Sequence, residues 1–211
     1  VALIAAFRMG YSVQLETSIF AVLSILFFHL SLNLFNDYFD HLKGQDRLNP
    51  RGGSRVIQKG WVRAYLVERW AFGFLLVAAN LALPIFFEHK LLSVLVSLGV
   101  LFLGIEYSSE RLGLKYRGWS EVIVFILTGP VLSAGIVWAV TGQWSWPIAL
   151  VGTLLGLSSG LHYNLIHFAN IMIDAQAGLK TLAVRLGFDK AKSLYLFFTG
   201  VMLLSLVAIG L

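Results

Sequence analysis

Apolar runs close to the length of a membrane span recur from one end of this chain to the other, and that recurrence leaves few folds open. They cover residues 18–35, 64–87, 91–107, 120–140, 146–168 and 193–211. A bilayer's hydrocarbon is crossed by roughly 20 apolar residues in a helix. Within lipid a single segment satisfies its own backbone only as a helix. Charge content agrees: 13% of the 211 residues are charged and 58% hydrophobic, where a soluble domain carries about 25% charged residues. The mean hydropathy is +0.79. The expectation is an all-α, polytopic transmembrane helix bundle of about six full spans.

Residues 1–7 read as the tail of an earlier helix, and the last apolar run has no polar flank after it. Neither end carries the basic, apolar and small-residue zones of a signal peptide. The expectation is one transmembrane domain over residues 1–211 that belongs to a longer chain. The absence of cysteine excludes disulfides, thiolate nucleophiles and cysteine metal sites.

The 16 Lys and Arg residues, which give a net charge of +5, are unevenly placed. Residues 37–63 hold Lys43, Arg47, Arg51, Arg55, Lys59 and Arg63; residues 108–118 hold Arg111, Lys115 and Arg117. Residues 170–192 hold Lys180, Arg185, Lys190 and Lys192, whereas the intervening connections hold only Arg8 and Lys90. Basic and poor loops alternate along the chain, so the basic ones are expected in the cytoplasm. Anionic lipid accounts for a good part of this basic balance, and nothing in it calls for nucleic acid.

The first basic loop begins with NLFNDYFDHLKGQD, residues 33–46. On a helix Asn33, Asp37 and Asp40 stand at i, i+4 and i+7 on one face, with Asn36 and Asp40 as a second i, i+4 pair. Such a ladder of carboxylate and amide oxygens suits Mg²⁺, which is held by one or two carboxylates plus substrate phosphates. Nearby cations fit the outer oxygens of a diphosphate. The third basic loop repeats the pattern N-xxx-D-xxx-G: Asn36, Asp40 and Gly44 in one copy, Asn170, Asp174 and Gly178 in the other. This hints at a duplication of about four helices around a ligand. Caps and solvated faces would explain either loop taken alone, but three acids mirrored by a fourth at span ends are functional candidates. Zinc spacing is absent, since His162 and His167 lie at i, i+5 with no acidic third ligand nearby in sequence.

This segment resembles the first aspartate-rich motif of the UbiA superfamily of membrane prenyltransferases. Its N-xx-ND-xx-D-xxx-G-x-D spacing is similar to that of the 1,4-dihydroxy-2-naphthoate prenyltransferases of menaquinone synthesis. SRVIQKG (54–60), YRGWSEVIVFILTGPVLSAG (116–135) and AGLKTLAVRLG (177–187) agree with it in order. The resemblance covers nearly the whole chain, and the six runs would correspond to the second through seventh of the family's nine helices. It implies transfer of a polyprenyl group from a diphosphate to an electron-rich aromatic acid, whose carboxylate leaves as carbon dioxide in the menaquinone branch.

The same resemblance implies the site. Asp37, Asp40 and Asp174 would bind Mg²⁺ bridged to the diphosphate, supported by Asn33, Asn36 and Asn170. Arg55, Lys115 and Lys180 would contact the diphosphate, and Asp46 would hold Lys43, Arg55 or a second metal. Tyr38, Tyr107 and Tyr163 would shelter the cation-like carbon, or serve as ordinary interfacial tyrosines. Asn164 joins the substrate-binding set. Glu121 would serve either as an acid on the helix dipole or to orient the acceptor. The protein is expected in a bacterial or archaeal plasma membrane, with its site facing the cytoplasm.

One departure stands out. The subfamily's second motif reads N-x-x-RD-xxx-D, whereas this chain runs HFANIMIDAQAG. Aligned without a gap, Asn170 replaces the first acid and Ala169 the arginine; with a gap of about four residues, the Arg-Asp pair is missing. Either way one carboxylate stands where the family has two. A catalytically silent relative, a prenyltransferase with another acceptor, and a transporter with charged helix ends remain as alternatives.

Overall fold

A computed structural model describes residues 1–44 and 53–209, the side chains of 88–93, 206, 208 and 209 excepted. Every element assigned among these residues is helical. In chain order they are α1 (Ala2–Arg8), α2 (Leu15–Leu42), α3 (Ala64–Ser108), a 3₁₀ turn (Leu114–Arg117), α4 (Ser120–Ile126), a π turn (Leu127–Val131), α5 (Leu132–Thr141), α6 (Trp146–Ala169), α7 (Ile171–Gln176), α8 (Leu182–Leu186) and α9 (Phe188–Ile209). Four described segments are long and apolar enough to span a bilayer: Leu15–Leu42, Ala64–Phe87, Ser120–Thr141 and Trp146–Ala169, with Val94–Ser108 a shorter apolar helix. Leu23, Leu26, Leu76, Leu150 and Phe197 are among many exposed apolar side chains. Their solvent is lipid, and the chain is an integral membrane protein.

The chain forms two compact units, one of residues 12–113 and 139–142, the other of residues 1–11, 114–138 and 143–211. In the first, α2 packs along α3. Ser24 and Ser31 each donate a hydroxyl hydrogen bond to a carbonyl of α3, Ala78 and Ala71 respectively, both at 2.8 Å. Interhelical bonds of this kind contribute about 0.6 kcal/mol each in a membrane. Further along α2 the partner changes direction. A Cβ on Gly104 would lie 2.8 Å from Leu32, and Ser108 donates to Asn36 at 2.7 Å.

A straight helix would hold Ala71 and Gly104 about 50 Å apart, yet they lie against neighbouring residues of α2. The chain therefore reverses between residues 79 and 103, a stretch that contains Pro84, whose ring removes a ladder hydrogen bond. Sequence periodicity divides this region into two runs at 64–87 and 91–107, and the two arms of α3 correspond to them.

In the second unit α6 carries Gly152, Gly156 and Gly160 on one stripe. A Cβ at Gly129 would stand 2.7 Å from the Gly156 Cα, and one at Gly160 3.2 Å from the Glu121 carbonyl. Only hydrogen at these positions lets the α4–α5 segment approach so closely, the small-residue solution of membrane packing. The π turn contains Pro130 and forms where Gly129 leaves helical geometry at φ −96°, ψ −105°, while Thr128 back-bonds to the Val124 carbonyl at 2.7 Å. Ser145 caps the start of α6 by accepting from the Ile148 N–H at 3.4 Å, with Pro147 in the first turn where no donor is needed.

Candidate functional site

In the first unit the acid-and-amide ladder occupies the last three turns of α2. Asn33, Asn36 and Asp37 line a cleft of about 450 Å³ together with Leu30, Leu34, Phe74, Gly53 and Ser54. Asp40 is buried. Asn36 links it to α3 by donating from Nδ2 to the Asp40 carboxylate at 3.3 Å and accepting from Ser108 on Oδ1. Asp37 therefore fronts the cleft while Asp40 stands behind it.

Lys43 donates to the Ser109 carbonyl at 2.8 Å, which ties the end of α2 to the end of α3. Arg55, next to the cleft-lining Ser54, is the only non-glycine residue described with a positive φ, +59°. Left-handed backbone costs about 1–2 kcal/mol for a residue with a Cβ, and such positions gather at functional sites. Tyr38 packs on Phe39 with ring centroids 5.5 Å apart, and Tyr107 lies between the buried Glu106 and Ser108. Asp46 lies outside the described residues.

In the second unit two basic loops are stitched together. The Lys180 N–H donates to the Tyr116 carbonyl at 2.9 Å, and Arg185 donates from Nη1 to the Arg117 carbonyl at 3.3 Å. Gly118, at φ +80°, lets the Lys180 carbonyl come within 3.0 Å of where a Cβ would stand. Lys115 is buried with its ammonium 4.8 Å from the centre of the Tyr116 ring, whereas the Lys180 side chain is exposed. Asp174 is buried on α7 and accepts from the Thr181 hydroxyl at 3.3 Å. Burial raises its pKa, opposed in smaller measure by His167, the Thr181 hydrogen bond and Lys115. A desolvated carboxylate of this kind would be relieved by a further cation.

Both copies of N-xxx-D-xxx-G end alike. Gly44 and Gly178 adopt φ +70° and +71°, and each glycine N–H returns to the carbonyl three residues back, at 3.0 and 3.1 Å. In each copy the aspartate four residues earlier is buried. The left-handed glycine is a helix stop, and it fixes a carboxylate one turn before the chain leaves the helix. Asn170 sits half-buried at the junction of α6 and α7 with no side-chain cap bond.

Sequence spacing left one cluster unseen. His167 Nδ1 lies 3.0 Å from Glu121 Oε1, joining residues on different spans. Asn164, one turn before His167, is buried, and Tyr163 flanks the histidine with ring centroids 6.4 Å apart. Glu121 Oε2 and Asn164 Oδ1 are buried without a hydrogen-bond partner among the described residues. Leaving such atoms unsatisfied costs about 1–3 kcal/mol each.

Among the described residues no three His, Asp or Glu side chains converge as a metal cage. The donors at both helix ends are oxygens. This suits a hard cation completed by water and substrate phosphate, so the residues present fit Mg²⁺.

A helical membrane protein with paired carboxylate-and-amide helix ends, each bordered by basic loops, is the class defined by these features. The UbiA prenyltransferase family model matches residues 1–211, and the chain belongs to that family. It is 30% identical over 182 residues to the 2-carboxy-1,4-naphthoquinone phytyltransferase of Synechocystis sp., covering 85% of this chain and 57% of the relative. The 1,4-dihydroxy-2-naphthoate octaprenyltransferase of Haemophilus influenzae is 29% identical over 181 residues, covering 82% and 58%. The chain thus spans little more than half the length of these curated relatives. The fold is that of a UbiA homolog from Archaeoglobus fulgidus solved with DMAPP and Mg²⁺, at a TM-score of 0.67 and 18% identity over 95% of this chain and 69% of the other.

Proposed function

We propose that this protein transfers a polyprenyl group from an allylic diphosphate to 1,4-dihydroxy-2-naphthoate, as a single transmembrane prenyltransferase domain with its site facing the cytoplasm of a bacterium or archaeon. The reading is carried by the twice-built carboxylate end: a buried aspartate, Asp40 or Asp174, held one turn before a left-handed glycine, in a chain of the UbiA family. The Haemophilus relative is named for 1,4-dihydroxy-2-naphthoate and the Synechocystis relative for a 2-carboxy-1,4-naphthoquinone; both names support a carboxylated naphthalene ring as acceptor.

Asp37, Asp40 and Asp174 would hold Mg²⁺, with Asn33, Asn36 and Asn170 as neutral oxygens beside them. Bound there, the ion supplies positive charge to the leaving diphosphate. Arg55, Lys115 and Lys180 bind the outer phosphate oxygens as fixed charges that favour departure of the anion. The allylic C–O bond breaks with its electron pair staying on the diphosphate. The ring carbon of the acceptor then supplies the pair for the new C–C bond and loses its carboxylate as carbon dioxide. Tyr38, Tyr107 and Tyr163 offer ring faces to the cation-like carbon.

The test is transfer of a labelled polyprenyl diphosphate to 1,4-dihydroxy-2-naphthoate by the protein in liposomes, with and without Mg²⁺. Product that requires Mg²⁺ supports the reading; no product under any metal removes it. The lone carboxylate of the second motif favours one other reading, a relative that binds diphosphate without turning it over. Retention of the labelled diphosphate without product would distinguish it.

A further inference from the structure

We propose that Glu121 and Asn164 bind the hydroxyl groups of the aromatic acceptor, with His167 as the positioning residue that orients Glu121. This rests on the prenyl-transfer reading above and names the part of the site that takes its second substrate.

Glu121 is 9% exposed and Asn164 4%, and Glu121 Oε2 and Asn164 Oδ1 lack partners among the described residues. Both atoms only accept hydrogen bonds. With no third acid converging on them as a metal cage among the described residues, their occupant therefore carries O–H or N–H donors or a positive charge. A diphosphate has none to give and would meet a carboxylate, so these oxygens do not belong to the diphosphate end. A dihydroxylated ring supplies two donors.

Position agrees with this chemistry. Gly160 brings α6 against the Glu121 backbone, and Asn164 and His167 follow at i+4 and i+7 on the same face of α6. His167 Nδ1 lies 3.0 Å from Glu121 Oε1; since an ionised carboxylate only accepts, the tautomer with hydrogen on Nδ1 occupies one carboxylate oxygen and leaves the other for a ligand. The ring of Tyr163 stands beside His167 and edge-on to His162 at 6.1 Å, apolar wall for a flat ligand. His167, which holds Glu121, also acts with Lys115 on the charge of Asp174 in the same unit. An O–H donated to a carboxylate pushes electron density into the ring, which favours attack on an electron-poor allylic carbon.

The inference is tested with the full protein in nanodiscs. Equilibrium binding of 1,4-dihydroxy-2-naphthoate is read by quenching of tryptophan fluorescence, and KM is measured for each substrate. Glu121→Gln and Asn164→Ala should each raise the acceptor KM and weaken its binding about tenfold, the scale of one hydrogen bond to a charged or buried group. The diphosphate KM should stay unchanged, and Glu121→Asp should recover part of the loss. An unchanged acceptor KM, or both KM values rising together, would overturn the assignment in favour of buried water or structure. The unaltered protein gives a check that needs no variant: 1,4-dimethoxy-2-naphthoate should bind far more weakly than the diol, and equal binding would overturn the inference. Transfer to a different phenol would remove the naphthoate reading alone, because the KM split measured with that phenol still decides the role of Glu121. Neither diol binding nor transfer to any phenol would overturn both.

Discussion

His167 and Glu121 face each other across two spans at 3.0 Å, with their side chains 14% and 11% exposed. Removing one partner of a buried pair strands the other, so each single change should cost more than the pair is worth. His167→Ala and Glu121→Ala should both lower thermal stability in detergent. A double-mutant cycle should return a coupling of roughly 1–3 kcal/mol, as expected for residues in direct contact. Additive losses would mean the contact contributes nothing.

Asp37 and Asp40 should separate in their effects. Asp37 fronts the cleft, so Asp37→Ala is expected to leave the melting temperature in place. It should remove roughly 2–4 kcal/mol of transition-state stabilisation, the scale of one preorganised electrostatic group. Asp40 is buried against Asn36, so Asp40→Ala should cost both turnover and about 1–3 kcal/mol of stability from the lost hydrogen bond to a buried carboxylate. Near-normal rates in both variants would reduce the motif to a helix end.

Arg55 offers a test of whether strain and charge serve one purpose. Arg55→Gly relieves a backbone at φ +59° while adding unfolded-state freedom, and these nearly cancel, leaving stability within about 1 kcal/mol. Transfer should nonetheless fall, with the loss in the KM for diphosphate, and Arg55→Lys should recover part of it. A fully active glycine variant would exclude Arg55 from the diphosphate.

Most of the fold was legible because bilayer thickness dictates run length, and runs such as 120–140 and 146–168 return as the helices Ser120–Thr141 and Trp146–Ala169. The motif carboxylates were legible because helical spacing is local: Asn36 and Asp40 meet as i, i+4 neighbours. The Glu121–His167 contact was not, since it joins residues 46 positions apart and depends on the glycine stripe that draws α6 to α4. Spacing offered His167 no acidic neighbour, and its acidic partner comes from another span; the pair gathers no third ligand into a metal cage among the described residues. Nor could sequence show which of Asp37 and Asp40 is buried and which lines the cleft, because that depends on what packs around the end of α2.

Membrane sidedness can be checked without a background, because the chain holds no cysteine. Gln176 and Gln143 are both exposed and lie beyond opposite ends of α6, a 24-residue helix. At 1.5 Å per residue that helix is about 36 Å long, enough to cross the hydrocarbon. An impermeant thiol reagent should therefore label Gln176→Cys only from the inner face of the vesicle membrane and Gln143→Cys only from the outer face. Labelling of both from one side would mean that α6 does not span.

Asn170 sits between α6 and α7 without a side-chain cap bond, four residues before the buried Asp174. Asn170→Asp would place a carboxylate at i, i+4 to Asp174, the spacing that lets two side chains on a helix meet. It would also sit at the N-terminus of α7, where the helix dipole favours negative charge. A charged oxygen holds Mg²⁺ more firmly than an amide, so the Mg²⁺ concentration for half-maximal transfer should fall by about tenfold in this variant, and its maximal rate should rise. Against this stands repulsion between two carboxylates, one of them already desolvated, which should lower stability when Mg²⁺ is withheld. The variant should therefore melt earlier than the unaltered protein in chelator and recover on adding Mg²⁺. A melting curve indifferent to Mg²⁺, together with an unchanged metal requirement for transfer, would mean that position 170 lies outside the metal's reach and that Asp174 acts with other partners.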